Sequence, residues 1–148
     1  MIPVDASLRA DRDVSDEAIP LERIMTSLQR TRKLKLVILD ACRDNPFLNK
    51  MQRVLASRSI GRGLADVEPD GGILVAFAAK GGQTAFDGPV GQRSPFMKAF
   101  LQHIQTPQLE IGLLFRRVRD DVLKATDRKQ EPFIYGSLPG ENFFFVAR

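Results

Sequence analysis

Lys35-Leu36-Val37-Ile38-Leu39-Asp40-Ala41-Cys42-Arg43-Asp44-Asn45-Pro46 is the stretch from which the rest of the chain can be read. Leu36 to Leu39 leave no polar face, which predicts a strand over 35–40 covered on both sides, as in a parallel sheet. The run then breaks at once into a polar turn. Open α/β sheets collect ligands and reacting groups beyond the carboxyl ends of their strands, so Asp40 to Pro46 is where chemistry is expected.

Working outward, Ile73 to Ala79 is a second apolar run, and it too ends in a polar, Gly-rich loop, Lys80-Gly81-Gly82-Gln83-Thr84. Pro20 opens a helix with Leu21, Ile24, Met25 and Leu28 on one face. Ser94-Pro95 predicts another helix start, with Ser as cap, Pro in the first turn, and Phe96, Phe100, Leu101 and Ile104 as its apolar stripe. Thr106-Pro107 repeats the device ahead of Ile111, Leu114, Phe115, Val118 and Val122. Phe143 to Val146 reads as a last strand. Residues 5–16 read as a polar surface connection, and 47–72 as loop with a short helix near Met51 to Ala56. This order of elements is that of an α/β domain with few strands. Strands apolar on both faces need neighbours on both sides, and the chain supplies barely three, so the sheet is expected to be incomplete.

The 148 residues suit one domain with a real core. At 43% hydrophobic and 27% charged, the composition excludes an intrinsically disordered chain. No apolar run approaches the roughly 20 residues of a membrane span, and the first residues show no leader pattern. The net charge of +4 is mild. Arg30, Arg32, Lys33 and Lys35 read as a solvated helix end rather than a nucleic-acid patch, because no aromatic platform is interleaved with them. Neither a nucleic acid nor a membrane is therefore an expected partner. One cysteine excludes an internal disulfide or multi-cysteine metal cluster, and one histidine, His103, excludes a His-rich zinc site. His103 itself reads as a partly exposed helical residue.

Cys42 is the sharpest feature. A lone cysteine after a strand ordinarily fills a small buried gap. Here Asp40 and Asp44 flank it and Asn45-Pro46 closes the turn. A thiol in such a turn can present its sulfur to a cleft, beside backbone N–H groups that stabilise a developing oxyanion.

Leu36 to Phe47 resembles the nucleophile segment of bacterial caspase-like cysteine peptidases, relatives of metacaspases and paracaspases. The resemblance continues in the family's order through Arg62-Gly63-Leu64-Ala65, Ala76-Phe77-Ala78-Ala79 with Gln83-Thr84-Ala85, Asp87-Gly88, Ser94-Pro95-Phe96, and Gln130-Glu131-Pro132 with Ser137-Leu138. Ile2-Pro3-Val4-Asp5-Ala6 resembles the stretch shortly after the family's catalytic histidine. The resemblance implies a caspase-like three-layer α/β sandwich with a mostly parallel sheet, of which residues 1–148 supply the later strands. It also implies peptide hydrolysis by a Cys–His dyad, with Cys42 as nucleophile.

Asp40 matches the carboxylate that lines the first specificity pocket in metacaspases and paracaspases, which implies preference for Arg or Lys at the cleaved bond. The alternative is that Asp40 only caps the turn. Gln83 is implied as a cleft residue, and glycines near it stand where metacaspases carry an acid. The histidine departs from the pattern. In caspases it precedes the cysteine by roughly 50 residues, which from Cys42 gives about position −8. The family's His-Gly pair also precedes its Ile-Pro-Val-Asp-Ala segment. Both rulers put the histidine upstream of Met1, so the chain is expected to be inactive alone.

Three readings stay open: a fragment of an active peptidase, a non-catalytic peptide or partner binder, and a subunit completed by a separate chain carrying the histidine. A peptide or protein substrate is expected, with self-association or a completing chain at the open sheet edge. No cofactor is implied. Calcium dependence occurs in relatives, but Asp11, Asp13 and Asp16 do not define a site. The compartment is not readable.

Overall fold

The computed structural model describes residues 9–10, 13–28, 30–31, 33–41 and 72–147. Its elements are helices α1 (Asp13–Glu17) and α2 (Leu21–Leu28), strands β1 (Lys35–Leu39) and β2 (Ile73–Phe77), helices α3 (Pro95–Ile104) and α4 (Ile111–Ala125), and strand β3 (Phe133–Gly136). The strands form one sheet in the order β1-β2-β3. As expected from the two apolar runs, β1 and β2 are adjacent and parallel, with Lys35 opposite Ile73 and Leu39 opposite Phe77. β3 is antiparallel to β2, with Phe133 opposite Phe77 and Gly136 opposite Leu74.

β2 has no polar side chain, and alternation divides its residues between two cores. Ile73, Val75 and Phe77 pack with Leu21 and Met25 of α2 and with Val37. Leu74, Ala76 and the following Ala78 pack with Phe96 and Phe100 of α3 and with Leu114, Phe115, Val118 and Val122 of α4. Helices therefore cover both faces, which is the α/β sandwich the sequence implied. Every residue of β2 is buried, whereas β1 is buried only at Val37 and otherwise half-covered. Among the described residues β1 has one neighbour.

The helix starts follow capping chemistry. Ser94 caps α3, its Oγ accepting from Met97 N–H at 2.9 Å, with Pro95 in the first turn as predicted. The second cap departs from expectation. Thr106-Pro107 does not open α4; Glu110 does, its side chain accepting from Leu113 N–H at 3.1 Å. Gln108 sits at a left-handed φ of 54°, which turns the chain before the helix begins.

Two further expectations are corrected. The supposed connection over 5–16 ends in a helix that begins at Asp13, and Asp13 reaches back to accept from Arg9 N–H and Ala10 N–H at 2.9 and 2.8 Å. Phe143 to Val146 is not a sheet strand. It runs along the turn before α4, with an isolated bridge between Glu110 and Phe144, and Phe145 sets its ring edge-on to Phe100 at 6.1 Å. Phe145 packs against the α3–α4 core instead of entering the sheet. The suggested helix at 51–56, the 47–72 loop up to residue 71, and Cys42 lie outside the described residues.

Gly136 closes β3 at a φ of 130°, and a Cβ there would fall 2.0 Å from the Ile73 carbonyl oxygen. Gly140 has an ordinary φ and open space around it. Gly136→Ala should therefore lose about 2 kcal/mol or more of unfolding free energy in a urea titration, and Gly140→Ala less than about 0.5 kcal/mol. Equal effects would mean that β3 does not approach β2 this closely.

Candidate functional site

Parallel pairing puts the carboxyl ends of β1 and β2 on one edge of the sheet. Ala78 N–H donates to Leu39 O at 2.9 Å, so the pairing carries one step past β2 and leaves Asp40 beside the start of the Lys80–Thr84 loop. Because β3 is antiparallel, it enters from this same edge, and the residues that lead into it, Gln130-Glu131-Pro132, lie there too. The edge thus gathers three segments distant in sequence.

Asp40 is exposed, and its Oδ2 accepts a 2.7 Å hydrogen bond from the Oγ–H of buried Ser94. The same hydroxyl accepts from Met97 N–H, so one side chain both caps α3 and holds the Asp40 carboxylate at the helix N-terminus. There the unpaired N–H groups favour negative charge. Gln83 is half-buried, and its Oε1 accepts from Glu131 N–H at 2.7 Å. Its carbonyl end ties the loop to the residue before Pro132. Cys42 lies two residues beyond Asp40 in sequence and outside the described residues.

Glu131 is the electrostatic centre of this edge. Its Oε2 takes Lys80 Nζ at 2.6 Å, and its Oε1 takes Arg119 Nε of α4 at 3.0 Å as well as Arg119 Nη2. The hydrogen bond from Lys80, then that from Arg119, holds the Glu131 carboxyl below the usual glutamate range. Its hydrogen bond in turn raises the Arg119 guanidinium above its ordinary value. Lys80 N–H also donates to Glu131 O at 2.8 Å.

His103 is not part of the edge cluster. It lies on α3 with Nε2 2.7 Å from Asp121 Oδ2 of α4, its side chain 14% exposed. The helical placement is as expected; the carboxylate partner is not visible from spacing. Among the described residues no three His, Cys, Asp or Glu side chains converge as a metal site, and no helix is long and apolar enough to cross a membrane.

The sequence brought Asp40 and Gln83 to attention, and both are on this edge. It gave no role to Ser94 as a partner of Asp40, nor to Gln130 and Glu131. The signal was present in the Ser94-Pro95-Phe96 and Gln130-Glu131-Pro132 segments, but a polar residue before a proline reads first as a cap or a turn.

A family model described as the caspase domain matches residues 1–144. The chain belongs to the caspase domain family. Caspase domains are cysteine-type peptidases by family, and the α/β sandwich here agrees with that fold. The crystal structure of caspase-1 from Spodoptera frugiperda is similar to this chain at 17% identity with a TM-score of 0.47, covering 88% of this chain and 74% of that one. No curated protein sequence matches it significantly.

Lowering the folded-state pKa of Glu131 has a defined consequence. The stability its charge contributes is present above the unfolded glutamate value and is lost as pH falls from there through the depressed folded value. Glu131→Gln should therefore destabilise the chain most at neutral pH, by about 0.2–1 kcal/mol for a partly exposed pair. The gap between the two proteins should close in acid, as read by urea unfolding across pH. A gap that widens toward acid would contradict the pairing.

Proposed function

We propose that this caspase domain is of the metacaspase-like type and cleaves peptides after Arg or Lys, with Cys42 as nucleophile and Asp40 as the carboxylate that receives the basic side chain. The observation that supports the reading is the position of Asp40: it follows β1 on the carboxyl edge, exposed to solvent, with Ser94 bonded to its Oδ2, and in this reading its Oδ1 receives the guanidinium or ammonium. A fixed carboxylate of this kind favours a cationic side chain over a neutral one. Gln83 would border the same cleft through its amide end.

In the proposed chemistry the Cys42 thiolate attacks the scissile carbonyl carbon, and its own N–H supports the oxyanion. The tetrahedral intermediate collapses with release of the amine, which takes a proton from an imidazolium, and water then hydrolyses the acyl-enzyme. The sequence has one imidazole, His103, and it is bonded to Asp121 between α3 and α4. In this reading the assisting histidine is supplied by an upstream His-Gly segment or by a separate chain. Loss of general acid–base help typically costs about 10²–10⁴-fold. The second reading, a domain that binds basic peptides without cleaving them, is favoured by this same distribution of imidazole.

The 148-residue chain should not hydrolyse fluorogenic peptides ending in Arg or Lys. A version carrying an upstream His-Gly segment should hydrolyse them, lose all turnover in Cys42→Ala, and in Asp40→Asn lose about 2–5 kcal/mol of discrimination for Arg over a neutral residue. Retained selectivity in Asp40→Asn would place the pocket elsewhere. Tight binding of an Arg peptide without turnover in the extended version would select the binder.

A further inference from the structure

The residues that close α4 and lead into β3 make more polar contacts at the carboxyl edge than a connection requires. Gln130 is completely buried. Its Nε2–H donates to Ala78 O at 2.9 Å, and its Oε1 accepts from Phe86 N–H at 3.0 Å. Its own N–H donates to Thr126 Oγ1 at 3.1 Å, and that buried hydroxyl donates to Val122 O at 2.8 Å, in the last turn of α4. The next residue adds Glu131 N–H to Gln83 Oε1 and Lys80 N–H to Glu131 O. Two consecutive residues therefore hold the end of β2 and three separate points, Lys80, Gln83 and Phe86, of the loop that follows it.

The chemistry at position 130 is specific. A buried carboxamide is unfavourable unless both of its ends are paired, and Leu or Met would fill the same volume without that demand. The side chain bridges a carbonyl to an N–H across a fixed reach. Glu would keep the acceptor and lose the donor, and Asn is one methylene short. The loop it fixes continues through Gly88, which lies against the Arg93 carbonyl, to Ser94 and so to the Asp40 carboxylate. Phe86, whose N–H is held, is 40% exposed as a residue. Its backbone is fixed while an apolar ring stays available to a ligand.

We propose that Gln130, anchored by Thr126, is a positioning residue of the peptide cleft: it fixes segment 83–86 as a wall at the carboxyl edge and thereby sets the affinity for a basic peptide. This rests on the peptide-binding reading above. A wall ordered before binding does not have to be ordered by the peptide, so loosening it weakens binding without removing any group that touches the ligand.

The test uses the 148-residue chain and a fluorescein-labelled tetrapeptide amide ending in arginine, with its glutamate-terminated counterpart as control. Amide exchange at Phe86 reads the clamp, fluorescence anisotropy reads peptide affinity, and exchange in α3 and α4 reads the core. In Gln130→Met, Phe86 exchange should accelerate and the arginine peptide should bind about tenfold more weakly, with α3 and α4 still protected. Thr126→Val should give the same pattern in smaller measure, and Thr126→Ser should restore both readouts. The Thr126 pair carries the test if Gln130→Met does not fold. Unchanged peptide affinity in a variant whose Phe86 exchange has accelerated would overturn the positioning role and leave the peptide-binding reading standing. A wild-type chain that does not prefer the arginine peptide would overturn that reading, and this proposal with it.

Discussion

β2 is the constraint on which the rest of the structure depends. Its five residues, Ile73 to Phe77, are all buried, and none offers a polar group to solvent. Fully burying an aliphatic or aromatic side chain of this kind is worth about 1.5–3 kcal/mol, so the strand is stable only where both faces are covered. That demand recruits α2 to one face and α3 with α4 to the other, and it places β1 and β3 on the two sides. Everything proposed for the function lies where this strand ends and the chain becomes polar.

The same constraint creates a problem at that end. Ala78 and Ala79 remain buried after the regular strand stops, so their backbone groups cannot all turn to water. Ala78 N–H is met by Leu39 O, and Ala78 O by the Gln130 carboxamide. An antiparallel β3 solves the delivery, because the residues entering it arrive at this edge. Glu131 then pairs with Lys80 and Arg119 together, binding the loop to α4. The contacts that finish the fold are thus the contacts that shape the edge beside Asp40.

Legibility in the sequence followed the strength of local pattern. The two apolar runs, the Ser94-Pro95 cap and the stripe on α4 are dense signals, and each is found where it was read, with parallel pairing of β1 and β2. The four residues of β3 are a weaker signal than Phe143 to Val146, yet β3 joins the sheet. Gly136 can approach Ile73, whereas Phe145 is drawn to Phe100. Thr106-Pro107 looked like a cap, but the left-handed Gln108 delays the helix to Ile111. Of the edge residues, Asp40 and Gln83 were readable through family resemblance. Gln130 and the Ser94–Asp40 bond were not, because each joins segments more than forty residues apart and leaves no periodic trace.

The proposed function joins Cys42 as nucleophile with Asp40 as receptor for a basic side chain, while His103 lies on α3 bonded to Asp121 of α4. The most direct measurement is mass-spectrometric mapping of the residue alkylated by a peptide chloromethylketone ending in arginine. The account predicts modification at Cys42, faster than with a reagent ending in a neutral residue and slowed by Asp40→Asn. Modification at His103 or Lys80, or a Cys42 rate indifferent to the arginine, would contradict it.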